Sequence, residues 1–423
     1  ILTMRTFILL VTFSCFLAMQ SFAGKILVPM DDSQTNHLKA YGISYFVLEN
    51  GVTMEWLLNY RGGSFLMPQL SSIEDELVIR GVSYEILADG QVNAIKRKIA
   101  SPEVNQEVVQ LEVAPKIAVY TPDGKQPWDD AVTLVMEYAE IPYDKVYDST
   151  VVSGGLAEYD WLHLHHEDFT GQYGKFYAAY RNAPWYREQV ATLEASAKRL
   201  GFSKVSDMKL AVAQSIKNYV VGGGFLFTMC SGTDSFDIAL AAHKTDIAEQ
   251  MFDGDGMDPN YQAKMDYSNS FAFEDYQIEE DPYKYEYSTI DGTQRHRTLN
   301  ERNDAFTLFE FSAKWDVVPT MLTQNHKQVV KNFYGQTTDF VKEYVKPSVT
   351  IMGESKSIGT VKYIHGEMGN GTWTFYGGHD PEDYQHRVGD PHTDLNLHPN
   401  SAGYRLILNN VLFPAAKKKK RKT

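Results

Sequence analysis

The fold of this chain is decided by residues 222–234, which read GGGFLFTMCSGTD. Aromatic and apolar residues at 225–229 form a run that stops at Cys230, and small residues follow before a helical pattern begins. Such a run predicts a buried strand, and a Cys-x-Gly turn between a strand and a helix lifts one thiol out of the sheet edge. The sequence therefore predicts an α/β fold that presents Cys230 as a nucleophile, with Gly232 beside it.

Two other stretches share a strand–helix–strand rhythm. The first has apolar runs at 25–30 and 52–58 around an amphipathic segment, and the second has runs at 116–120 and 144–148. Alternation of this kind is typical of a parallel sheet covered by helices on both faces. We therefore expect an α/β architecture of doubly wound, mostly parallel sheets, flavodoxin-like, in two modules.

The remaining periodic segments set the expected domain boundaries. Further strands are predicted at 159–164, 307–311, 317–322, 348–352 and 371–376, and helices at 185–200, 205–219 and 401–412. The last of these helices is expected to be capped by Asn400 or Ser401. Residues 250–300 are acidic and aromatic with little periodicity, which indicates an insertion that frames a site. The expected order is an amino-terminal module at 24–112, a main domain at 113–412 that contains the insertion, and a basic tail at 413–423.

The first residues carry the pattern of an export signal. Arg5 precedes a short apolar core, and a small-x-Ala end follows at 21–23. The core is too short to span a bilayer stably, so residues 1–23 predict a cleaved signal peptide and an exported, periplasmic or extracellular protein with no integral membrane segment. Cys230 is the one cysteine of the predicted mature chain, which excludes an intramolecular disulfide.

The charge of the chain excludes two classes of partner. The formal net charge is −14, whereas a protein that binds nucleic acids or anionic membranes needs a cationic face. The basic run at 417–422 is interpreted as a solvated, frayed terminus. We therefore expect no nucleic-acid partner.

A histidine and carboxylates stand at a second predicted strand end. Residues 377–382 read GGHDPE and directly follow the strand at 371–376. Because the carboxyl ends of neighbouring parallel strands converge on one crevice, we expect Cys230 and His379 to meet. A thiol needs such a base, since only the thiolate attacks readily. The alternative is that Cys230 is simply a small buried hydrophobic residue.

On these motifs, residues 115–412 resemble the class I glutamine amidotransferase-like superfamily, in which one strand ends in a Cys-x-Gly elbow and a later strand ends in His-Pro-Glu. The resemblance implies Cys230 as nucleophile, His379 as general base and Glu382 as the carboxylate that orients the histidine. An extra residue between histidine and proline makes Asp380 a competitor for that last role. The implied reaction is hydrolysis of a glutamine-type amide through a thioester, on a small-molecule or peptide-like substrate, without a cofactor.

A second polar cluster lies at 160–168, which reads DWLHLHHED. This predicted strand should neighbour the strand that ends at Cys230, so the polar groups at its end are expected to form a substrate-facing rim. Histidine and carboxylate groups also bind zinc, but no second half of a ligand set stands at the required spacing, and we assign no metal. The predicted substrate-binding residues are His165, His166, Glu167, Gly232 and Asp380.

Over its whole length the chain resembles a family of exported bacterial proteins commonly labelled asparagine synthetase B, through residues 59–65, 165–173 and 376–384. Glutamine-hydrolysing synthetases use a cysteine at the mature amino terminus and a Ser-Gly-Gly-x-Asp-Ser loop for ATP. Here the predicted first mature residue is Gly24, and residues 153–158 read SGGLAE. Three functions stay open: a cysteine-dependent amide hydrolase, a catalytically degenerate ligand-binding protein of the same fold, and the synthetase that the family label states.

Overall fold

The computed structural model describes residues 24–122, 126–164 and 166–416. Within these ranges the strands form one sheet of five strands and one of ten. The first sheet consists of β1 (Lys25–Val28), β2 (Met54–Leu58), β3 (Ser64–Pro68), β4 (Glu85–Leu87) and β5 (Glu107–Leu111). Its helices are α1 (His37–Glu49), α2 (Ser71–Ile79) and α3 (Asp89–Ala100).

Every pairing in the first sheet is antiparallel, in the order β4-β1-β3-β2-β5. The flavodoxin-like prediction for this module is therefore wrong. A tight turn at residues 59–63, with Gly62 at φ 75° and Gly63 at φ 91°, sends β2 straight back into β3. The strand–helix–strand pattern had suggested that β1 pairs with β2. Strands that are neighbours in sequence pair readily through a tight turn, so β3 lies beside β2 instead.

The second sheet contains the strands of the remaining chain. They are β6 (Ile117–Tyr120), β7 (Asp144–Val146), β8 (Trp161–Leu164), β9 (Phe225–Met229), β10 (Ala305–Leu308), β11 (Val329–Lys331), β12 (Phe340–Val341), β13 (Thr350–Ser355), β14 (Thr360–Met368) and β15 (Gly371–Tyr376). Their order is β11-β10-β13-β14-β15-β9-β8-β6-β7, with β12 paired to β14.

This second sheet is mixed. The run β7-β6-β8-β9-β15 is parallel, and the pairings from β15 through β14, β13 and β10 to β11 are antiparallel. Short turns join β13, β14 and β15, so these strands form consecutive hairpins instead of helix-linked crossovers. The prediction of a doubly wound, mostly parallel sheet of the class I amidotransferase kind is wrong for this reason.

Helices complete the second part of the chain. They are α4 (Ala131–Ala139), α5 (Asp148–Val152), α6 (Pro184–Arg199), α7 (Val205–Gly222), α8 (Ser231–Ala241), α9 (Val317–Leu322) and α10 (Ala402–Leu412). Residues 317–322 were predicted as a strand and are helical, because a six-residue apolar run carries too little periodicity to separate the two. The side chain of Ser401 caps α10 by accepting the N–H of Tyr404, as expected for this helix start.

The two sheets share one hydrophobic core. A continuous cluster of buried residues extends from Ile26 and Trp56 in the first sheet to Phe227 and Tyr376 in the second. The helices α1, α4 and α10 pack together between them, and the hydroxyl of Tyr41 hydrogen-bonds the side chain of Asn409 across α1 and α10. The amino-terminal sheet is therefore packed onto the rest through apolar side chains.

Several sequence predictions fall on residues that the structure leaves undescribed. These are the export signal at 1–23, the basic run at 417–422 and His165. Across the described ranges, none of the helices has both the length and the apolar character that crossing a membrane requires.

Candidate functional site

The candidate site lies at the carboxyl ends of four adjacent parallel strands. Asp129 follows β6, His166 follows β8, Cys230 follows β9 and His379 follows β15. In the sheet these strands are neighbours in the order β6-β8-β9-β15. Parallel strands end at the same edge, so residues up to 250 positions apart in sequence meet in one crevice.

Cys230 occupies a strained turn between β9 and α8. Its backbone has φ 52° and ψ −139°, which a residue with a side chain adopts only when the surrounding structure enforces it. Gly232 permits the turn, since a Cβ there would lie 2.7 Å from Oγ1 of Thr228. This strand–turn–helix geometry is the one in which hydrolases present a nucleophile.

Two opposing influences act on the Cys230 thiol, which is only 4% exposed. Burial raises its pKa to about 11, because the thiolate loses its hydration, while backbone N–H groups of Thr337, Gln336 and Ser231 pull the pKa down. The N–H of Gln336 donates to Sγ at 3.2 Å. The sulfur therefore rests as a thiol that faces amide donors suited to negative charge.

His379 lies beside the sulfur. One side-chain nitrogen of His379, one of His166 and Sγ of Cys230 all lie within 4.8 Å of one another. The ring of His379 stacks between those of His166 and His386, with centroid distances of 4.1 and 3.7 Å. The structure thus brings together the cysteine and the histidine that the sequence selected.

Glycines allow two backbone segments to approach closely at this point. A Cβ on Gly335 would lie 2.8 Å from the backbone of Gly378. The N–H of His379 donates to the carbonyl of Tyr334 at 2.9 Å across the same contact. Residues 334–338 are consequently held against the histidine-bearing loop, and this contact places the N–H of Gln336 at the sulfur.

Asp129 is the carboxylate that contacts His379. Its Oδ1 lies 3.4 Å from Nε2 of His379 and 3.8 Å from Nε2 of His386, and its Oδ2 lies 3.7 Å from Nδ1 of His392. Asp129 is 6% exposed. A buried carboxylate in contact with an imidazole can hold the ring in one orientation, as the carboxylate of a catalytic triad does.

Glu382, the predicted orienting carboxylate, points elsewhere. Its Oε2 lies 3.1 Å from Nδ1 of His398. The competitor Asp380 accepts the N–H of Glu382 at 2.9 Å and the hydroxyl of Thr393 at 2.7 Å. Those bonds close a turn directly after β15, and the carboxylate that lies within hydrogen-bond distance of His379 is that of Asp129, at 3.4 Å.

The predicted polar rim is divided between two places. His166 lies in the site, with φ 25°, and stacks on His379. Glu167 instead accepts a hydrogen bond from Nζ of Lys209 at 2.9 Å, in a buried ion cluster that also contains Asp148. Burial raises the pKa of Glu167 to about 7 despite the lysine. Glu167 therefore contacts Lys209, and it is not among the residues that line the pocket at the sulfur.

A small pocket gives access to the sulfur. Its volume is about 100 Å³, and Cys230, His166, His379 and His386 line it. Aromatic and apolar side chains form the rest of its wall, among them Trp128, Phe176, Tyr285 and Val388. Tyr285 comes from the acidic, aromatic segment at 250–300, which therefore contributes to the wall.

A larger cleft of about 470 Å³ shares its wall with this pocket. Tyr334 lines the cleft, and the two residues after it, Gly335 and Gln336, line the pocket. Gln385 and Arg387 line the cleft, and His386 and Val388, which alternate with them, line the pocket. Arg297 and Tyr384 also line the cleft. Nη2 of Arg387 donates to Oε1 of Gln385 at 3.2 Å, and Glu301 is the carboxylate among the lining residues.

Three site residues were missed from the sequence. Asp129 had a usable signal, because an acidic pair at 129–130 follows a strand that belongs to the same parallel run. His386 and Gln336 had none, since both come from aperiodic segments; in the structure His386 stacks on His379, and the N–H of Gln336 donates to the sulfur.

Comparisons with known proteins do not show which family the chain belongs to. No protein-family model matches it, and no curated protein matches it at a significant level. Cytoplasmic Protein STM3548 from Salmonella typhimurium is similar over 72% of this chain and 100% of its own, with 10% identity and a TM-score of 0.34. A β-galactosidase from Bacillus circulans sp. alkalophilus is similar over 63% of this chain and 29% of its own, with 12% identity and a TM-score of 0.26. At these TM-scores the likenesses support neither a shared fold nor a shared activity.

Proposed function

We propose that this protein is a cysteine-dependent amide hydrolase. One observation carries the proposal: Cys230 occupies a strained strand-to-helix turn with its sulfur within 4.8 Å of a nitrogen of His379. In this proposal Cys230 is the nucleophile, His379 the general base and Asp129 the carboxylate that positions the histidine. The backbone N–H groups of Gln336 and Ser231 would bind the developing oxyanion.

The proposed reaction has two steps. The sulfur attacks the carboxamide carbon while His379 accepts the thiol proton, and the C–N bond then breaks as His379 returns that proton to the departing ammonia. The acyl group remains on Cys230 as a thioester. Water, deprotonated by His379, attacks the thioester carbon, and the carboxylic acid leaves as the sulfur takes the proton back.

Proton transfer has to accompany attack in this site. With the pKa of Cys230 raised to about 11, on the order of one thiol in 10⁴ is ionised at pH 7. A preformed thiolate is therefore scarce, and His379 must remove the proton as the bond to carbon forms. This differs from cysteine enzymes in which a thiolate–imidazolium pair exists before substrate binds.

The cleft beside the pocket supports an anionic substrate. Arg297 and Arg387 face it in a chain whose formal net charge is −14, and the rings of Tyr334 and Tyr384 lie 5.0 Å apart in its wall. A guanidinium binds a carboxylate through two parallel hydrogen bonds. We therefore propose a small amide of the glutamine type, with its amide in the pocket and its carboxylate in the cleft.

The direct test is ammonia release from a panel of primary amides that includes glutamine, asparagine and neutral analogues. We expect Cys230→Ser and His379→Ala each to lower kcat by about 10³-fold or more. His243→Ala is the control, because His243 hydrogen-bonds the carbonyl of Leu240 outside the pocket. Hydrolysis that survives in Cys230→Ser would overturn the proposal.

A catalytically degenerate binding protein is the second candidate, and the buried, protonated state of Cys230 favours it. An electrophilic amide analogue separates the two. If the protein is a hydrolase, the analogue should alkylate Cys230 faster than it alkylates a model thiol. If the protein only binds a ligand, alkylation of Cys230 should be slower than that of the model thiol, because the sulfur is buried. Asparagine formation from aspartate, glutamine and ATP, which the family label implies, is expected to be absent.

A further inference from the structure

The side chains around the sulfur form a donor set for a metal ion. Sγ of Cys230 and one nitrogen each of His166 and His379 lie within 4.8 Å of one another. In a tetrahedral zinc site, with Zn–S near 2.3 Å and Zn–N near 2.0 Å, donor atoms are separated by about 3.3–3.6 Å. Closing the three donors onto one ion thus requires each to move by about 1 Å or less, which rotation of the imidazoles supplies.

The chemistry of these donors selects a class of ion. Thiolate and imidazole together suit zinc and related thiophilic cations, whereas magnesium and calcium take oxygen ligands. Three protein ligands leave a fourth position of the tetrahedron, and the pocket of about 100 Å³ opens onto the same three residues. An ion bound here would therefore keep one position for water or a small ligand.

Carboxylates stand behind both imidazoles. Oδ1 of Asp129 lies 3.4 Å from Nε2 of His379, and Oδ2 of Asp130 lies 4.0 Å from Nε2 of His166. Asp130 is itself held by Nε2 of His163 at 2.9 Å. A carboxylate hydrogen-bonded behind a metal-ligating histidine orients the ring and increases its basicity. Asp129 lies within hydrogen-bond distance of His379, and Asp130 lies at ion-pair distance from His166.

We propose that His166, Cys230 and His379 bind one thiophilic divalent cation, for which zinc is the probe. The bound cation is coordinated by the lone pair of the sulfur and by the lone pair of a nitrogen of His379, so neither lone pair is available for catalysis. If the proposed hydrolase function holds, the metal-bound protein is consequently its inactive form, and release of the ion restores the nucleophile and the base together. The site is thereby a zinc-sensitive switch.

The test uses the full chain and needs no substrate. Protein stripped of metal under reducing conditions is titrated with Co²⁺ while its absorption spectrum is recorded. We expect one equivalent to produce a thiolate-to-cobalt charge-transfer band together with the intense visible bands of a tetrahedral ion, and Zn²⁺ to displace it. In the unmodified protein, Zn²⁺ should also slow alkylation of Cys230 by iodoacetamide, and a chelator should reverse the effect.

Variants identify the ligands. Cys230→Ser should abolish the charge-transfer band, and His166→Ala should weaken Co²⁺ binding by at least about 100-fold, more than loss of an outer carboxylate costs. His386→Ala is the control, because Asp129, His379 and His386 form a second, sulfur-free group of possible ligands. It should leave the band in place.

Three outcomes of the cobalt titrations would overturn this proposal: no saturable band, equal affinity in His166→Ala, or loss of binding in His386→Ala to the same degree as in His166→Ala. Zinc that fails to protect the thiol of the unmodified protein also overturns it, so a variant that does not fold leaves the test intact. Amide hydrolysis is measured separately in the presence of chelator, and its absence would contradict the proposed function while leaving the metal site standing.

Discussion

At the scale of single residues, the site depends on glycines at positions where a Cβ atom would collide with neighbouring atoms. Gly335 and Gly378 let two loops touch through their backbones, and the N–H of Gln336 reaches the sulfur of Cys230 as a result. Gly232 serves the turn of Cys230 in the same way. The positions of the sulfur and of the N–H that contacts it thus depend on glycines, which carry no functional side chain.

Gly335→Ala tests this dependence. The added Cβ would meet the backbone of Gly378 and His379 at 2.8–2.9 Å, so we expect a loss of about 1–3 kcal/mol in the free energy of unfolding, as for other overpacked positions. We also expect a changed alkylation rate at Cys230, because the N–H of Gln336 moves away from the sulfur. Urea unfolding and thiol alkylation provide the two measurements.

Gly222→Ala is the matched control for that substitution. Gly222 ends α7, and a Cβ there meets nothing within 4 Å. The replacement should leave unfolding unchanged or make the protein more stable by up to about 1 kcal/mol. Equal effects from the two substitutions would show that the contact between Gly335 and Gly378 is not tight.

At the scale of elements, a buried ion cluster holds the segment that carries Gln336. Nδ1 of His296 lies 2.9 Å from Oδ1 of Asp304, and Nε2 of His296 hydrogen-bonds Asp339. These residues are fully buried, and they tie the turn at Thr293–His296 to the loop between β11 and β12. The strand ends alone therefore do not define the site, because this loop is anchored from outside the parallel strands.

The cluster predicts a pH dependence of stability. Burial lowers the pKa of His296, but hydrogen bonds to Asp304 and Asp339 outweigh burial and raise it to about 9. Since the folded pKa lies above the unfolded one, the stabilisation is complete below pH 6.5 and is lost as the pH rises through 9. We expect up to ~3 kcal/mol less unfolding free energy at pH 9.5 than at pH 6 from this group.

Urea unfolding at the two pH values measures the effect. His296→Gln is the control, because glutamine keeps hydrogen-bonding capacity without a proton that titrates in this range. The variant should be less stable at pH 6 and should show most of the pH difference abolished. A difference that persists unchanged in His296→Gln would assign it to other groups.

At the scale of the whole molecule, the formal net charge is −14, and the cleft beside the sulfur contains two arginines. The chain has 54 acidic and 40 basic residues, yet Arg297 and Arg387 both face the cleft beside the sulfur. The cleft lining has these two arginines against the single carboxylate of Glu301, and a net cationic site attracts anions. The proposed substrate class follows from this contrast between the cleft and the molecule that contains it.

Arg297→Gln and Arg387→Gln test the substrate class. Each should raise KM about tenfold for an amide that carries a carboxylate, corresponding to one lost charge-assisted hydrogen bond, and leave KM for a neutral amide unchanged. Arg302→Gln is the control, since Arg302 is exposed and lies outside the cleft lining. Equal losses for charged and neutral amides would remove the argument for an anionic substrate.

The sequence alone determined the parts that depend on local patterns. The apolar run that ends at Cys230, the strand before His379 and the cap of Ser401 on α10 all follow from residues a few positions apart, and the structure has each of them. The convergence of Cys230 and His379 also followed, because parallel strands end at a common edge. Only the tertiary structure decided the sheet topology, since β3 and β14 pair with neighbours through turns that the strand–helix–strand pattern did not reveal. It also decided that Asp129 lies 3.4 Å from His379 while Glu382 contacts His398, because a carboxylate reaches a histidine through space, and spacing along the chain does not measure that distance.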